Sequence, residues 1–564
     1  MDRREFVRRS AAGMSLGLPL SLPLQSGVGP WASAKLADVN TTSLRAAAEL
    51  GCQAMSSYFN TGDPEVRTPY FWINLRPGPG MSFSDIFSDA QVPGKSLLGL
   101  LSAEKAFGLT VDPAVIERYA RVAFYSYSGP LALPLNRDAI GGKLVNLAPV
   151  NVAHGLHGLY ALAVLKQSDR AHELAESCIA AVSSLWDPMT GWDRARIEAL
   201  GLMYRDVQPD APFVAGLAMA IGPLAKYYRA TGSRAALALA TQLKDKLVAE
   251  CFPPNGEYDP ALLGAHVQNV VYVMASLAWL ATATRDAPLM TRVKAFYDNG
   301  LRTIRNVLGW SPEFVGAPAH VRGPRGTNAD RGEAGNTALI LETALLLGDW
   351  GHADAYADAE LILRSHLLPS QYRDVSFIAP SDRQRRGALG DVARCAQGAW
   401  GFPAPYGHQP LGDRIVGIGT DIVGPVVYAL SEAHSRIVGR QAGQLAVQLL
   451  FDHKDDDIEI SSPYTSDVLA VTLRRPQPVM VRIPPWVPAD RIELIGATRK
   501  AGDLASGYLR VVPTDSARFA IRFPLSLRKL DVSYNGRTLR ARARGDQVMA
   551  MEDRGTDLTF FDRY

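Results

Sequence analysis

The chain has 564 residues, of which 47% are hydrophobic and 20% charged, so it is long enough for two or more domains with a large core. Its formal net charge is only +3, which gives no electrostatic argument for binding nucleic acid or an anionic membrane. We therefore expect a globular protein without a nucleic-acid partner, and the sequence leaves its oligomeric state open.

The N-terminus carries the pattern of an export signal. Residues 2–8 read DRREFVR, which resembles a twin-arginine motif, and a weakly apolar run follows. Residues 32–34 read ASA, like a small-residue cleavage site. The sequence thus predicts a signal peptide over residues 1–34 and a periplasmic or secreted protein. No other stretch reaches the roughly 18 uninterrupted apolar residues of a membrane span.

Residues 35–450 have the periodicity of helices. Apolar residues recur at three- and four-residue spacing in segments such as HGLHGLYALAVLKQSD, HVQNVVYVMASLAWLATATRD and NTALILETALLLGD. Short polar turns then lead into a second helix, as in AVLKQSDRAHELAE and YYRATGSRAALALA. Such helical hairpins recur at intervals of roughly 60 residues. The pattern predicts a mainly α protein in which the hairpins form an (α/α) toroid or barrel, with a superhelical solenoid as the alternative.

Residues 451–564 change to short alternating strands. Nine segments follow one another here: DIEIS, VLAVTLR, PVMVRIPPW, RIELIG, YLRVVP, RFAIRFP, KLDVSY, TLRARA and QVMAM. The NG pair at 535–536 is a strong hairpin signal. We therefore expect a C-terminal antiparallel β-sandwich. Four arginines alternate with apolar residues along these strands and are predicted to lie on its solvated face: Arg482, Arg522, Arg540 and Arg542.

Residues 309–409 hold candidates for an acid, a base and a nucleophile. Glu313 begins a loop rich in Gly, Pro and Arg, and Asp330 and Glu333 end it at the mouth of an apolar helix. Cys395 lies in a stretch rich in Gly, Pro and aromatic residues. Carboxylates and a thiol gathered at helix–loop junctions are suited to catalysis. Helix capping is the alternative, with Asp330 at the N-cap and Glu333 at the third helical position.

The other three cysteines have the surroundings of small core residues. Cys52, Cys178 and Cys251 lie in helical apolar patterns, and no pair of cysteines has the CxxC spacing of a zinc ribbon. Twin-arginine substrates fold before export, in a reducing compartment, so we expect no obligatory disulfide.

Four segments of the chain carry a resemblance to a known family. They are GAHVQNVVYVMASLAWLATATRD, GEAGNTALILETALLLGDWGHADAYADAELILRSHLLPSQ, RCAQG, and VMVRIPPWVPADRIELIG followed by GYLRV. In order and spacing they resemble glycoside hydrolase family 127 and its wider superfamily, the β-L-arabinofuranosidase-like proteins. The resemblance implies a retaining glycosidase with a cysteine nucleophile, a glutamate acid/base, and a zinc ion held by three cysteines and one glutamate.

The resemblance also implies roles for particular residues. Cys395 stands at the position of the nucleophile, Glu333 at that of the metal-binding glutamate, and His266 at that of a histidine lining the sugar pocket. The acid/base glutamate of the family lies in the loop that here contains Glu313 and Asp330.

The chain departs from the family at the zinc site. Gly335 and Ala396 occupy positions where the family has cysteines, so the ligand set for zinc is incomplete. Zinc lowers the pKa of a coordinated thiol. Without zinc, the Cys395 thiol needs another source of activation, such as Arg394, a histidine or a helix N-terminus.

Two kinds of carbohydrate chemistry can use these residues without zinc. A glycosidase needs a proton donor and a second carboxylate, and Glu333 with Glu313 or Asp330 can supply both. A polysaccharide lyase needs a base and a cation that binds the uronate carboxylate. Candidate bases for the lyase are His154, His157, His266 and Tyr406, and candidate cations are Arg322, Arg325, Arg331 and Arg394.

Further residues are candidates for contact with sugar. His154 and His157 lie three apart on one helix, where they can line the pocket, share a metal or simply pack in the core. Aromatic rings can stack on sugar faces or belong to the core, and the candidates are Trp310, Trp400, Phe402 and Tyr406.

The sequence taken as a whole predicts an exported glycoside hydrolase that cleaves glycosides derived from plant or bacterial polysaccharide. A lyase acting on uronate-containing glycans is the enzymatic alternative. A glycan-binding protein that has kept the scaffold and lost the chemistry is the non-enzymatic alternative.

Overall fold

The structure, a computed structural model, describes most of the chain after the predicted signal peptide. The described residues are 34–35, 39–59, 68–315, 332–379, 391–401, 416–499, 502–514, 517–534, 537–553 and 558–564.

Fifteen α-helices lie in the described part of the chain before residue 438, and twelve of them have ten or more residues. In chain order they are α1 (Leu44–Met55), α2 (Gln91–Phe107), α3 (Pro113–Ser126), α4 (Val150–Tyr160), α5 (Asp169–Leu185), α6 (Arg194–Ala199), α7 (Ile221–Thr231), α8 (Arg234–Glu250), α9 (Pro260–Leu263), α10 (Val267–Thr284), α11 (Ala287–Asn299), α12 (Ala334–Asp349), α13 (Ala353–Ile362), α14 (Val392–Ala396) and α15 (Thr420–His434).

Six of the long helices contact one another in a closed circuit. Each of α2, α4, α7, α10, α12 and α15 contacts the next, and α15 contacts α2. The other six long helices, α1, α3, α5, α8, α11 and α13, each pack against at least one member of this circuit and leave part of their surface exposed. A buried helix therefore alternates with a half-exposed one along the chain, as the apolar patterns predict.

The half-exposed helices begin where the sequence places polar turns. Ser168 caps α5, Ser233 caps α8 and Asp286 caps α11, each accepting a hydrogen bond from a backbone N–H of the first turn. Gly232 ends α7 with φ of 75°, a conformation that glycine adopts without steric cost. The predicted helix–turn–helix hairpins are confirmed at these positions.

Glycine allows α2 to pack unusually closely against both of its neighbours in the circuit. A Cβ atom at Gly94 would lie 2.0 Å from the carbonyl oxygen of His154 in α4. A Cβ atom at Gly99 would lie 2.6 Å from the carbonyl oxygen of Gly424 in α15. Larger residues would push these helices apart, so the closure of the circuit depends on glycine here.

The strands in the described residues form seven sheets. In chain order the strands are β1 (Ala34–Lys35), β2 (Trp72–Arg76), β3 (Gly80–Ser82), β4 (Asn136–Arg137), β5 (Leu144–Leu147), β6 (Trp186–Asp187), β7 (Gly191–Trp192), β8 (Met203–Tyr204), β9 (Val416–Gly419), β10 (Val438–Gln441), β11 (Gln444–Val447), β12 (His453–Lys454), β13 (Ile458–Ser461), β14 (Leu469–Leu473), β15 (Val479–Arg482), β16 (Glu493–Ile495), β17 (Ala497–Thr498), β18 (Leu504–Ala505), β19 (Tyr508–Pro513), β20 (Arg518–Arg522), β21 (Leu527–Tyr534), β22 (Arg537–Arg544), β23 (Gln547–Met551), β24 (Leu558–Thr559) and β25 (Asp562–Arg563).

The three largest sheets lie in the C-terminal part. One has the order β10-β11-β15-β19-β17 with β18 paired to β19, the second β12-β13-β14-β20-β16, and the third β21-β22-β23-β25. Buried and less buried residues alternate along β13, β14 and β20, so one face of the second sheet is covered. Smaller sheets occur among the helices, including β3-β2-β9 beside the start of α15.

The coarse prediction of a mainly helical part followed by a β-rich part is confirmed. All nine predicted strands are present, as β13, β14, β15, β16, β19, β20, β21, β22 and β23. Strands β21 and β22 pair across residues 535–536, so the predicted hairpin is also confirmed. The first strand of these sheets begins at Val438, earlier than the predicted boundary at residue 450.

The prediction that Arg482 faces solvent is wrong. Its side chain is buried and forms an ion pair with Glu360 of α13, which also binds Arg364 at 2.9 Å. The guanidinium of Arg364 lies 3.8 Å from the ring centres of both Phe451 and Tyr464. This buried ionic cluster joins the helical part to the β-rich part, a contact that period-two patterning cannot reveal. The exposed positions of Arg522, Arg540 and Arg542 agree with the prediction.

One described helix, α10, is long and apolar enough to span a membrane by length and composition alone. Of its 18 residues 78% are buried, because α10 packs against α7, α11 and α12. Its apolar character is therefore explained by enclosure among other helices.

Substitution of Gly424 by alanine tests the close contact that closes the circuit. A Cβ atom at Gly424 would lie 2.2 Å from the carbonyl oxygen of Lys95 in α2, so we expect Gly424→Ala to lower the free energy of unfolding by about 1–3 kcal/mol. The control is Gly80→Ala, because a Cβ atom at Gly80 meets nothing within 4 Å. Equal stability of the two variants in denaturant melts would contradict the proposed role of this contact.

Candidate functional site

The helices of the closed circuit bring polar side chains together near their N-terminal ends. Contacts join residues near the start of one helix to residues near the start of the next, as between Gly94 and His154 or Lys95 and Asp421, so these helices run parallel. Their N-termini therefore lie at one end of the circuit, where the helix dipoles favour negative charge. The sequence-predicted residues Glu333, His154 and His266 all lie at this end.

The segment 311–315 positions Glu313 beside two of these helix starts. Isolated β-bridges pair Phe314 with His266, the N-cap of α10, and Pro312 with Gly332 just before α12. The carbonyl oxygen of Glu313 accepts a hydrogen bond of 3.0 Å from the N–H of Val267. The predicted candidates Glu313, Glu333 and His266 are thus brought to one place.

Glu333 is a buried carboxyl group at the N-cap of α12, with a relative exposure of 2%. Its side chain makes no capping hydrogen bond, so the capping-box explanation is wrong for this residue. Burial raises the pKa of Glu333 well above its usual range, and the nearby charges of Glu313 and Asp421 raise it further. Lys95 and a hydrogen bond from Asn336 act in the opposite direction. The group therefore favours its protonated form.

Asp421, in the first turn of α15, is held by two donors from α2. Its Oδ2 lies 2.7 Å from Lys95 Nζ and 2.6 Å from Gln91 Nε2, and all three side chains are buried. Asp421 and Lys95 thus form a buried ion pair. The charge of Asp421 is one of the influences that raise the pKa of Glu333.

His154 and His157 lie on one face of α4, as predicted, and both are buried. The hydroxyl of Tyr272 lies 3.4 Å from His154 Nδ1. Burial lowers the pKa of both histidines well below the usual value. The charge of Lys95 lowers both pKa values further, and that of Lys226 also lowers the pKa of His157. Both imidazoles are therefore neutral, and they line the interior of the circuit as hydrogen-bonding groups.

His266 is half-buried at the entrance to this cluster. Its Nδ1 lies 3.2 Å from Asn269 Oδ1, and its ring packs against that of Phe314 with centres 4.8 Å apart. Gln268 and Glu313 beside it are also half-buried. The cluster therefore reaches the surface on the side of these residues.

Cys395 lies in a different environment from Glu333. It belongs to the short helix α14, is 1% exposed, and its Sγ donates a 3.1 Å hydrogen bond to the carbonyl oxygen of Ser57. Burial raises the pKa of this thiol to about 12, Asp391 raises it further and Arg394 opposes the rise. The Cys395 thiol also contributes to raising the pKa of three neighbouring tyrosines, Tyr58, Tyr70 and Tyr119. The structure therefore does not favour a thiolate here.

Of the predicted aromatic residues, the structure describes two. Trp310 and Trp400 are completely buried. Trp310 stacks on His366 with ring centres 5.4 Å apart, and Trp400 Nε1 donates to the Leu367 carbonyl oxygen at 2.6 Å. Neither ring presents a face for a sugar, so core packing accounts for both.

The remaining candidates are either exposed or lie outside the described residues. Arg394 is exposed on α14. Asp330, Phe402 and Tyr406 lie outside the described residues. The three loop arginines considered for a lyase, Arg322, Arg325 and Arg331, also lie outside them.

The described residues do not fit the zinc site that the fold family implies. A Cβ atom at Gly335 would lie 3.1 Å from Glu333 Oε1 and 3.4 Å from Gln268 Nε2, so this position adjoins Glu333 but carries no ligand atom. Among the described residues no three His, Cys, Asp or Glu side chains form a group that could hold a metal. The thiol of Cys395 donates its hydrogen bond to a backbone carbonyl oxygen and belongs to no such group.

Sequence reasoning missed several members of the cluster. Lys95, Asp421, Gln91 and Asn336 were not predicted as site residues, and neither was the deeper pair of Lys226 and Glu342, 2.8 Å apart. A signal was available, because each of these charged residues interrupts a strongly apolar helix, as in PGKSLLGLL and LILETALLL. A charge in such a run must be paired when the helix is enclosed.

Known structures resemble most of the chain, although no protein-family model and no curated protein matches it. A family 127 β-arabinofuranosidase has a TM-score of 0.57 at 13% identity, over 92% of this chain and 84% of its own. A family 127 β-L-arabinofuranosidase from Geobacillus stearothermophilus T6 has a TM-score of 0.54 at 14% identity, over 89% and 80%. A third structure, described as a glycoside hydrolase, has a TM-score of 0.51 at 11% identity, over 87% and 84%.

Identities this low establish a likeness of fold. The resemblance predicted from the sequence motifs is confirmed at that level: the chain has the fold of the family 127 β-arabinofuranosidases, with a sequence that has diverged far from theirs.

The raised pKa of Glu333 predicts how Glu333→Gln changes stability with pH. In the unfolded chain the carboxyl loses its proton near its usual pKa of about 4.3, whereas the folded protein retains the proton to higher pH. The contribution of this carboxyl to the free energy of unfolding is therefore fully present below about pH 4.3. It is lost as the pH rises through the pKa of the group in the folded protein. Glutamine does not titrate, so the variant gains stability relative to the wild type over this window. Denaturant melts from pH 4 upward measure the difference, and a difference that is constant with pH would contradict the assignment.

Proposed function

We propose that the protein is a glycoside hydrolase in which Glu333 donates the proton to the leaving oxygen and Glu313 is the second carboxylate. The observation that carries this proposal is the pairing of a buried carboxyl, whose pKa is raised well above its usual range, with a half-buried carboxylate beside it. Glycosidases need such a pair, one group protonated and one ionised, at the same pH.

The two carboxyl groups lie in different surroundings. Asp421 forms an ion pair with Lys95 and accepts a hydrogen bond from Gln91, and its charge disfavours ionisation of the buried Glu333. Glu313 lies on the side where the cluster reaches the surface, so its charge is better solvated than that of Glu333. Glu313 can therefore attack the sugar or activate water while Glu333 delivers its proton.

The neutral histidines give the interior of the circuit a polar lining. His154 and His157 offer imidazole nitrogens, and His266 offers another at the entrance, for hydrogen bonds to sugar hydroxyls. The family 127 structures that share this fold are named for activity on β-arabinofuranosides. Arabinofuranosides, in oligosaccharides or released from plant or bacterial polysaccharide, are therefore the first substrate class that we propose.

The architecture and destination of the protein form part of the same proposal. The closed circuit of six helices supports an (α/α) barrel as the catalytic unit, followed by a β-sandwich. We place the boundary just before Val438 instead of at residue 450, because β10 and β11 pair with the C-terminal sheet. Export through the twin-arginine pathway to the periplasm or beyond remains the prediction of the N-terminal motif.

Glu333→Gln should abolish most of the activity. We expect kcat on an aryl arabinofuranoside to fall by about 10²–10⁴-fold, because glutamine cannot donate the proton. In the wild type kcat/KM should decrease as the pH rises through the pKa of Glu333, and this limb should be absent from the residual activity of the variant. Glu250→Gln, an exposed glutamate on α8, is the matched control and should retain wild-type rates.

Other outcomes would redirect the proposal. Failure of a broad panel of aryl glycosides, or full activity of Glu333→Gln, would refute it. Formation of an unsaturated uronate product from polyuronates would identify a lyase. Oligosaccharide binding by calorimetry without any product would identify a glycan-binding protein.

Cys395→Ala separates this carboxylate mechanism from the family's thiolate mechanism. Because the thiol is buried and hydrogen-bonded to Ser57, we expect the variant to retain at least about a tenth of the wild-type kcat and to lose only a modest amount of stability. Loss of activity by more than about 10³-fold in a folded variant would instead assign the nucleophile to Cys395.

A further inference from the structure

The second β-rich sheet borders a cleft that is separate from the polar cluster among the helices. The cleft has a volume of about 680 Å³, within the range of about 300–1,000 Å³ that is typical of small-molecule sites. It is lined by residues of four segments: the loop after β13, the turn before and the start of β16, the end of β20 with the residues after it, and the end of β22.

Three arginines from three of these segments line the cleft. Arg491 is exposed and forms no ion pair with a described residue. Arg522 pairs with Glu493 at 2.9 Å, but both side chains are more than half exposed, so the pair is weak and can exchange. Arg544 is half-buried, and its Nε is buried without a hydrogen-bond partner among the described residues. Its Nη2 makes only a long contact of 3.4 Å with Gln547 Oε1, so a carboxylate in the cleft can compete for this guanidinium.

Two contacts hold Tyr464, a buried lining residue that we call the floor of the cleft. Its hydroxyl accepts a 2.9 Å hydrogen bond from the N–H of Asp546, and its ring packs on the guanidinium of Arg364. That guanidinium belongs to the buried ionic cluster with Glu360 that joins the helical and β-rich parts. A fixed floor lowers the entropic cost of binding.

We propose that this cleft binds the carboxylate-bearing sugars of an acidic oligosaccharide. Guanidinium groups pair with carboxylates through two parallel hydrogen bonds, which favours a uronate over a neutral sugar. The lining residues Thr465, Ser466 and Asp467 are exposed and offer polar groups to sugar hydroxyls. Pro524, also exposed, offers apolar surface to the ring. The site is a second binding surface, and it does not depend on the hydrolase proposed above.

Calorimetry on the full chain at low salt tests the proposal with trigalacturonate as the acidic probe and maltotriose as the neutral one. We expect trigalacturonate alone to bind, and Arg491→Gln and Arg544→Gln each to weaken its binding by about tenfold, which corresponds to about 1.4 kcal/mol. Arg491 is exposed, so its variant should fold even if Arg544→Gln does not. Arg475→Gln removes the same charge from an exposed position outside the cleft and should leave the affinity unchanged.

Three results would overturn the proposal. They are the absence of trigalacturonate binding by the wild type, equal binding of maltotriose, and equal effects of Arg491→Gln and Arg475→Gln. Hydrolytic activity does not enter any of these comparisons, so failure here leaves the hydrolase proposal standing.

Discussion

The contact between α2 and α15 is the constraint on which the rest of the structure depends. These helices are far apart in sequence, yet their backbones approach so closely that a Cβ atom at Gly99 or Gly424 would collide with the opposite backbone. Their contact completes the circuit of six helices. The same contact carries the ion pair of Lys95 and Asp421, so packing and electrostatics are fixed by one interface.

Closure of the circuit determines the chemistry of its interior. Parallel helices gather their first turns at one end, and the polar side chains there lose most of their contact with water. Asp421 pairs with Lys95 and Gln91, whereas Glu333 has no comparable partner among the described residues and burial raises its pKa. Two carboxyl groups in different electrostatic surroundings thus arise from one packing arrangement, without a metal ligand set in the described residues.

Periodicity predicted much of the fold because it reports which face of each element is buried. The helical hairpins, the nine strands and the 535–536 hairpin follow from local patterns. The ionic cluster around Arg482 does not, because an arginine alternating with apolar residues has the pattern of a solvated strand until its partner Glu360 is known. Which helices lie next to each other in the circuit also depends on contacts such as that of Gly99 with Gly424. No local pattern encodes such a contact.

The sequence predicted only those site residues that local features of the chain make conspicuous. Glu333 and Glu313 stood out because carboxylates beside a Gly- and Pro-rich loop invite a functional explanation. Cys395 stood out because its neighbours in sequence are rich in Gly, Pro and aromatic residues, which indicate a loop. In the structure it lies in a short helix and its thiol is buried. Lys95 and Asp421 were overlooked because each is a single charge within an apolar segment, and only the folded contact pairs them.

Titration of the glutamate carboxyl groups by ¹³C NMR is the most direct test of a neutral Glu333 inside the closed circuit. Wild-type protein and Glu333→Gln, both labelled at glutamate, would be compared across the pH range. We predict one resonance, absent from the variant, that titrates far above the usual glutamate pKa of about 4.3. A Glu333 resonance that titrates at or below that value would contradict the account.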